Sequence, residues 1–144
     1  MNTLKKTIAT AAAVFSAVCL MACGGSSTSS TAASEDVWSG SWQDSTGQRA
    51  TMDITAADSG YDVVITWSSS STEATVWTLS AESTDDSTLS YTGKCATNEY
   101  GSDGTVSAET VVYEDGSGTL TLSDGVITVT GDDELASCTF EKVE

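Results

Sequence analysis

From Trp38 to the C-terminus, apolar and polar residues alternate along the chain, and Gly, Asp and Ser interrupt the alternation at short intervals. A period of two predicts β-strands with one buried face, and the interruptions are typical of turns. The pattern predicts eight or nine consecutive strands and no helix. Their alternating residues are Trp38, Gly40 and Trp42; Ala50, Met52 and Ile54; Tyr61, Val63, Ile65 and Trp67; Thr75, Trp77 and Leu79; Leu89 and Tyr91; Val111 and Tyr113; Leu120 and Leu122; Ile127 and Val129; Cys138 and Phe140.

Turn sequences divide these segments. Asp58-Ser59-Gly60 precedes one strand, and two Asp-Gly pairs, Asp115-Gly116 and Asp124-Gly125, lie between later strands. An Asp-Gly pair between alternating segments is a strong hairpin signal, so we expect a hairpin at each pair. Residues 96–104 (ATNEYGSDG) form the longest irregular stretch of the folded part.

Short connections between sequential strands favour an antiparallel meander. A meander must protect its edge strands, and closure into a barrel removes them. We therefore expect an all-β fold over residues 37–144, a small antiparallel up-and-down β-barrel of eight or nine strands. A two-sheet β-sandwich is the alternative.

The first predicted strand, Trp38-Ser39-Gly40-Ser41-Trp42, contains a G-x-W motif and is followed by Asp44 and a Thr46-Gly47 turn. This segment resembles the opening of lipocalins and avidins, the calycin barrels. The resemblance implies that a tryptophan closes one end of the barrel and that a basic residue of the last strand stacks on it. Lys142 is the only residue that can take that place. Asp44 stands where avidins have a ligand-binding asparagine, but Gln48 stands near where they have a serine, so biotin binding is not implied.

The N-terminal sequence reads MNTLKKTIATAAAVFSAVCLMAC, with Lys5 and Lys6 before an apolar stretch. The stretch suits a signal peptide and is short for a membrane span of about 20 residues. It ends in Leu20-Met21-Ala22-Cys23, which resembles the bacterial lipobox. The resemblance implies lipidation of Cys23 by lipoprotein-processing enzymes and cleavage of a signal peptide, residues 1–22. The alternative is an ordinary secretory signal with a chance cysteine.

Residues 23–36 follow as the lipidated cysteine and a Gly/Ser/Thr-rich tether. The run GGSSTSSTAAS lacks large apolar residues, so it is expected to remain an unfolded linker. We therefore expect a bacterial lipoprotein held by its lipid, with palmitate among the acyl chains, at the extracytoplasmic face of the cell membrane.

The charge balance limits the partners. The chain has 5 Lys and Arg, 21 Asp and Glu and no histidine; without Lys5 and Lys6, three cations oppose 21 acids, a formal charge of −18. Nucleic acid and anionic lipid would be repelled by such a surface. Without histidine, Ser-His and Cys-His nucleophilic sites are excluded. We expect no enzyme activity and no cofactor.

Cys95 and Cys138 are the only cysteines of the folded part; Cys95 ends one predicted strand and Cys138 begins the last. In an exported protein such a pair is typical of a disulfide. A redox-active or metal-binding pair is the alternative, but CxxC spacing and histidine partners are missing.

Four tryptophans are many for so small a domain, and the simplest interpretation is core and barrel-end packing. The alternative is a cavity or a sugar-stacking face. Trp67, Trp77 and the sole arginine, Arg49, are the candidate ligand-binding residues, although for Arg49 the simpler interpretation is an ion pair with a nearby acid such as Asp44 or Asp53.

Clusters of acidic residues at 85–86, 114–115 and 132–134 are interpreted as turns and solvated charge. None of them has the spacing of a calcium loop, so no metal site is expected.

These observations favour non-catalytic binding of a small molecule or a glycan. One alternative is a module that binds or inhibits a cationic protein such as a lysozyme-like enzyme, because acidic surfaces steer basic partners and some bacterial lysozyme inhibitors are small lipid-anchored β-barrels. The other is a surface component without a specific ligand. A hollow barrel would favour the small molecule, and a filled barrel with an exposed acidic loop would favour the protein partner.

Overall fold

The computed structural model describes residues 36–144. The predicted signal peptide, Cys23 and the tether up to residue 35 lie outside the described residues. Eight strands form one closed antiparallel barrel in which each strand pairs with the next and the last pairs with the first. The strands are β1 (Gly40–Asp44), β2 (Ala50–Ala56), β3 (Tyr61–Ser68), β4 (Glu73–Asp85), β5 (Thr88–Tyr100), β6 (Val106–Ser123), β7 (Val126–Thr130) and β8 (Thr139–Lys142). The predicted up-and-down barrel is confirmed, and the sandwich alternative is wrong.

The hairpin predicted at Asp115-Gly116 is wrong, because both residues lie inside β6. A two-residue hairpin of this type needs a positive φ at both central residues. Asp124 and Gly125 have φ values of 53° and 81°, and they form the turn between β6 and β7. Gly116 instead leaves room for the ring of Tyr113, because a Cβ at this position would lie 2.2 Å from that ring.

The stretch predicted to be irregular is largely strand. β5 does not end at Cys95 but continues to Tyr100, and the hairpin closes at Gly101, whose N–H donates to the carbonyl of Thr105 at 2.8 Å. The β5–β6 register shifts between Gly93 and Ala96, which marks a β-bulge in the ladder. Such bulges increase the local twist of the strand. The β5–β6 hairpin is the longest of the barrel.

The interior of the barrel is filled by side chains. The inward positions of the strands carry most of the alternating apolar residues, as the period of two predicts. The placement of Val111 on the same face as Tyr113 is wrong: a β-bulge lies between the two residues, and Val111 is exposed. Leu135, from a 3-10 helix at residues Leu135–Ser137, adds to this core. The largest fully buried side chains are Trp42, Trp77, Phe140, Met52, Ile65, Leu79, Leu89, Leu120, Ile127, Leu135 and Val63.

Successive connections of an up-and-down barrel lie at opposite ends. The "closed end" comprises the start of β1 and the β2–β3, β4–β5 and β6–β7 turns. The "mouth" comprises the β1–β2, β3–β4 and β5–β6 connections and residues 131–138, here called the mouth loop, which contain the 3-10 helix.

Two tryptophans seal the closed end. Trp38 is buried, and the indole N–H of Trp42 donates to the Trp38 carbonyl at 2.9 Å. The Lys142 ammonium lies 5.3 Å from the centre of the Trp42 ring. A tryptophan of the first strand and a basic residue of the last strand therefore meet as the calycin resemblance implies, and the barrel is compatible with a calycin-like one.

Candidate functional site

The mouth loop begins where the chain leaves β7. Gly131 has a φ of 96°, which favours glycine, and a Cβ there would lie 2.3 Å from the carbonyl oxygen of Ser117. The chain therefore passes close to β6 at this point and then crosses the mouth. It enters β8 at Thr139 after the 3-10 helix.

Asp132 fixes the mouth loop to the barrel. Its Oδ2 accepts hydrogen bonds from the Trp77 indole N–H at 2.9 Å and from the Tyr113 hydroxyl at 2.6 Å. Its Oδ1 accepts the backbone N–H groups of Glu134 at 2.9 Å and Leu135 at 3.1 Å. One carboxylate thus joins β4, β6 and the start of the 3-10 helix.

These contacts set the charge at the mouth. Burial opposes ionisation of Asp132, but the hydrogen bonds from Tyr113, Trp77 and the two backbone N–H groups outweigh it and lower the pKa of its carboxyl. Burial and the Asp132 carboxylate together raise the pKa of Tyr113. At neutral pH the pair is therefore a carboxylate that accepts from a phenol.

Two cavities adjoin at the mouth. The "mouth cavity" has a volume of about 410 Å³ and is lined by Thr75, Cys95, Thr97, Val112, Tyr113, Gly131, Asp132, Asp133 and Glu134. The "tryptophan cavity" has a volume of about 320 Å³ and is lined by Trp67, Ser69, Thr75, Glu134 and Ser137. Thr75 and Glu134 border both. Carboxylates and hydroxyls dominate the linings, which suits a cationic or polyhydroxylated group.

The predicted ligand-binding tryptophans lie at this end but differ in exposure. Trp67 is half-buried and lines the tryptophan cavity. Trp77 is 0% exposed, and its ring belongs to the core beneath the mouth. Trp67 pairs with Thr75, two residues from Trp77, so the β3–β4 register points both indoles to the same face.

Arg49 lies apart from both cavities. It is exposed in the connection between β1 and β2 and lines neither of them. Its expected pairing with Asp44 or Asp53 is not formed: in the part of the chain that the structure describes, the ion pair is Lys94–Glu109, at 3.2 Å.

Asp44 supports the loop beside Arg49. It is 2% exposed, and its carboxylate accepts the backbone N–H groups of Gly47 at 2.7 Å, Thr46 at 3.2 Å and Thr139 at 3.3 Å. Burial opposes ionisation, but these bonds outweigh it, so the pKa of Asp44 is lowered. Its carboxylate is therefore occupied by the backbone of the β1–β2 connection.

Cys95 and Cys138, the predicted disulfide, are free thiols in the structure, and each is buried. Cys95 lies in the β5 ladder, whereas Cys138 follows the 3-10 helix with its Sγ 3.8 Å from the Glu134 carbonyl. Burial raises the pKa of Cys95 to about 11, with a further contribution from Asp132 and Glu134. Both sulfurs pack in the core as thiols in place of the predicted bridge.

Sequence reasoning missed the central residue of the site. Residues 132–134 were expected to be solvated charge, which holds for the exposed Asp133 and Glu134 but not for Asp132. The alternation correctly predicts that Tyr113 and Trp77 point inward. Their shared acceptor, however, comes from a loop far along the chain, and no local spacing indicates it.

Within residues 36–144, no group of three or more His, Cys, Asp or Glu side chains is arranged to hold a metal ion. The same residues include no helix that is long and apolar enough to cross a membrane.

Known proteins supply no assignment. No protein-family model, no curated protein and no solved structure matches this chain.

Proposed function

We propose that this protein is a non-catalytic binding module, held by a lipid at the extracytoplasmic face of a bacterial membrane, that binds a cationic protein at its mouth. The observation that carries the proposal is a filled barrel whose opening is lined by carboxylates. Trp77 and the core below it occupy the interior, so a ligand meets the mouth rather than a deep cavity. No Lys or Arg lines the mouth cavity or the tryptophan cavity.

The charge of the whole chain supports the same partner. Three cations oppose 21 acids after the predicted cleavage, and one of the cations, Lys94, is paired with Glu109. A field of one sign accelerates encounter with a basic protein, and the complementary charges at the contact fix its orientation. A lysozyme-like enzyme has the required chemistry.

Binding of egg-white lysozyme and cytochrome c, two basic proteins, to the full-length chain tests this proposal. Asp133→Asn with Glu134→Gln removes two exposed mouth charges that hold no side-chain hydrogen bond in residues 36–144. Asp58→Asn with Asp86→Asn removes two exposed charges at the closed end and is the matched control. We expect affinity to fall about tenfold in the mouth variant and less than twofold in the control, with strong weakening by salt.

Equal losses in the two variants would show that charge acts without a site at the mouth. No association with either protein at low ionic strength would overturn the cationic-partner proposal.

The tryptophan cavity supports a second candidate function, the binding of a glycan. Trp67 offers a half-exposed aromatic face, and Ser69, Thr75 and Ser137 surround it with hydroxyls, beside the Glu134 carboxylate. A few polar groups placed around an apolar wall are typical of small-ligand sites, and an indole face suits the apolar face of a sugar ring.

N-acetylglucosamine oligomers are a direct probe of this second candidate. They are expected to quench tryptophan fluorescence saturably, and Trp67→Ala should weaken the effect at least tenfold. Tyr61→Ala is the control, because Tyr61 is another half-buried aromatic that lines a cavity of about 350 Å³ at the closed end. Quenching that is absent, or unchanged in Trp67→Ala, excludes a glycan at Trp67.

The anchor is tested separately. Cys23→Ala should abolish both labelling by radioactive palmitate and recovery of the chain in the membrane fraction. Unchanged labelling would remove the lipoprotein assignment and leave the mouth proposals standing.

We also propose kinship with the calycin barrels. The support is the G-x-W of the first strand together with the Lys142 ammonium above Trp42. A crystal structure in which Lys142 does not cover Trp42 would contradict it.

A further inference from the structure

β6 has a free edge. The strand pairs with β5 from Val106 to Thr121, but it pairs with β7 only from Thr119 to Ser123. The chain leaves β7 at Thr130 and crosses the mouth instead of continuing along β6. Among residues 36–144, no strand pairs with the outer side of residues 106–115, here called the β6 edge. An open edge presents backbone N–H and carbonyl groups that another strand can pair with.

The ladder shows which backbone groups point outward. Tyr100 donates its N–H to the carbonyl of Thr72, on the β4 side of β5. In an antiparallel strand this direction alternates, so the backbone N–H and carbonyl groups of Asn98 also point to β4. Those of its β6 partner, Glu109, point away from β5. The backbone groups of Val111, two residues further along β6, point away from β5 for the same reason. The N–H and carbonyl groups of Glu109 and Val111 are therefore available to an added strand.

The side chains of this edge are exposed and partly apolar. Val106, Val111 and Val112 are 51%, 45% and 60% exposed, and they are half of the large hydrophobic residues that are exposed in residues 36–144. Val112 and Tyr113 also line the mouth cavity. A strand added to the β6 edge would thus lie beside that cavity.

Charge selects the occupant. Glu109, Glu114 and Asp115 lie along the edge, and Asp132 and its two acidic neighbours lie across the mouth cavity from it. A second copy of this chain would bring another excess of acids to the same place. A segment that contains Lys or Arg would be attracted, and an extended chain can direct alternate side chains into the cavity.

We propose that the β6 edge binds an extended, Lys- or Arg-containing segment of the cationic partner as an additional antiparallel strand, with one basic side chain directed into the mouth cavity. This inference rests on the proposed binding of a cationic protein and specifies how that partner is recognised. Backbone pairing supplies a contact that is independent of the partner's sequence. The carboxylates of the mouth cavity supply the preference for positive charge.

The probe is a nonapeptide of alternating Lys and Thr, with both ends capped, added to the full-length chain. Hydrogen exchange of the Glu109 and Val111 amides should slow at least tenfold when the peptide is bound. Val111→Pro removes an outward N–H without removing a β5 hydrogen bond, so the barrel is retained and the peptide should bind at least tenfold more weakly. Val111→Thr keeps the N–H and should bind within twofold of the parent.

A second variant tests the β6 edge in case Val111→Pro does not fold. Val111→Lys keeps the backbone N–H and adds a positive charge to the edge, so it should also weaken binding of the peptide. Urea unfolding shows whether each variant is folded.

The outcomes separate the two proposals. Peptide binding that survives Val111→Pro but is lost in Asp133→Asn with Glu134→Gln overturns the added strand and leaves the cationic-partner function intact. Binding that is absent altogether, for the peptide and for both basic proteins, overturns both. Self-association that Val111→Pro abolishes would make a second copy the occupant and overturn the basic segment.

Discussion

The two ends of the barrel each end in an indole hydrogen bond of the same length but with different acceptors. At the closed end, Trp42 donates to the backbone carbonyl of Trp38 at 2.9 Å. At the mouth, Trp77 donates to the carboxylate of Asp132, also at 2.9 Å. A backbone carbonyl does not titrate and is present whatever the side chain. A carboxylate carries charge, accepts several donors and depends on a single residue.

The surroundings extend this contrast. Lys142 covers Trp42 at the closed end, so that end combines an aromatic plug with a cation. The mouth has a cavity, three successive acids and an adjoining free strand edge. The closed end completes the fold, whereas the mouth retains uncompensated charge and unpaired backbone. Binding is therefore expected at the mouth.

The largest effect is expected from removing the plug of the closed end. Trp42→Ala should lower the free energy of unfolding by about 3–5 kcal/mol, because a fully buried indole leaves a cavity. Trp67→Ala at the mouth should lower it by less than about 2 kcal/mol, since that side chain is half-exposed. Urea unfolding measures both, and equal losses would remove the distinction between the two ends.

The carboxylate at the mouth is tested next. Asp132→Asn leaves one acceptor oxygen for four donors, so the free energy of unfolding should fall by about 1–3 kcal/mol. Asp133→Asn, which changes an exposed neighbour, should alter it by less than about 0.5 kcal/mol. Amide exchange in the mouth loop should accelerate in Asp132→Asn only. If both variants behave alike, Asp132 does not hold the loop.

Acidification should weaken the contacts by which Asp132 holds the mouth loop. The pKa of Asp132 is lowered from the ordinary value of 3.8, so the unfolded chain binds its proton at higher pH than the folded one. Its stabilising contribution is therefore complete above about pH 5 and is lost as the pH falls below about 4. The difference in unfolding free energy between the parent and Asp132→Asn should shrink over that range.

Comparing the parent with Asp132→Asn at each pH removes two other effects that both proteins share. One is the contribution of Asp44, whose pKa is also lowered, and the other is the relief of repulsion among the remaining acids at low pH. A gap between parent and variant that is constant from pH 7 to pH 3 would contradict the assignment.

The features that the sequence predicts depend on neighbouring residues, whereas the feature that it misses depends on contacts between residues far apart in the chain. Alternation indicates the inward face of the strands, so the barrel and its inward Trp77 and Tyr113 follow from local pattern. It places Val111 on the wrong face, because a β-bulge separates Val111 from Tyr113. Asp115-Gly116 misled because the same dipeptide can also lie within a strand, where Gly116 leaves room for the ring of Tyr113. The capture of Asp132 by Trp77 and Tyr113 depends on where a loop crosses the barrel, which no local spacing encodes.

The smallest expected effect concerns the cation of the closed end. Lys142→Met keeps the length of the side chain but removes the charge above Trp42, so the free energy of unfolding should fall by about 0.5–1 kcal/mol, as for exposed cation–π contacts. Lys142→Arg is the matched control and should preserve stability, because its guanidinium also stacks on an indole. The loss should persist at high salt more than that of an exposed ion pair such as Lys94–Glu109, since the partners of the Lys142 ammonium are the Trp42 ring and the Val37 carbonyl, neither of which is a charge. Stability unchanged in Lys142→Met would mean that the plug, Trp42 on Trp38, closes this end without the cation.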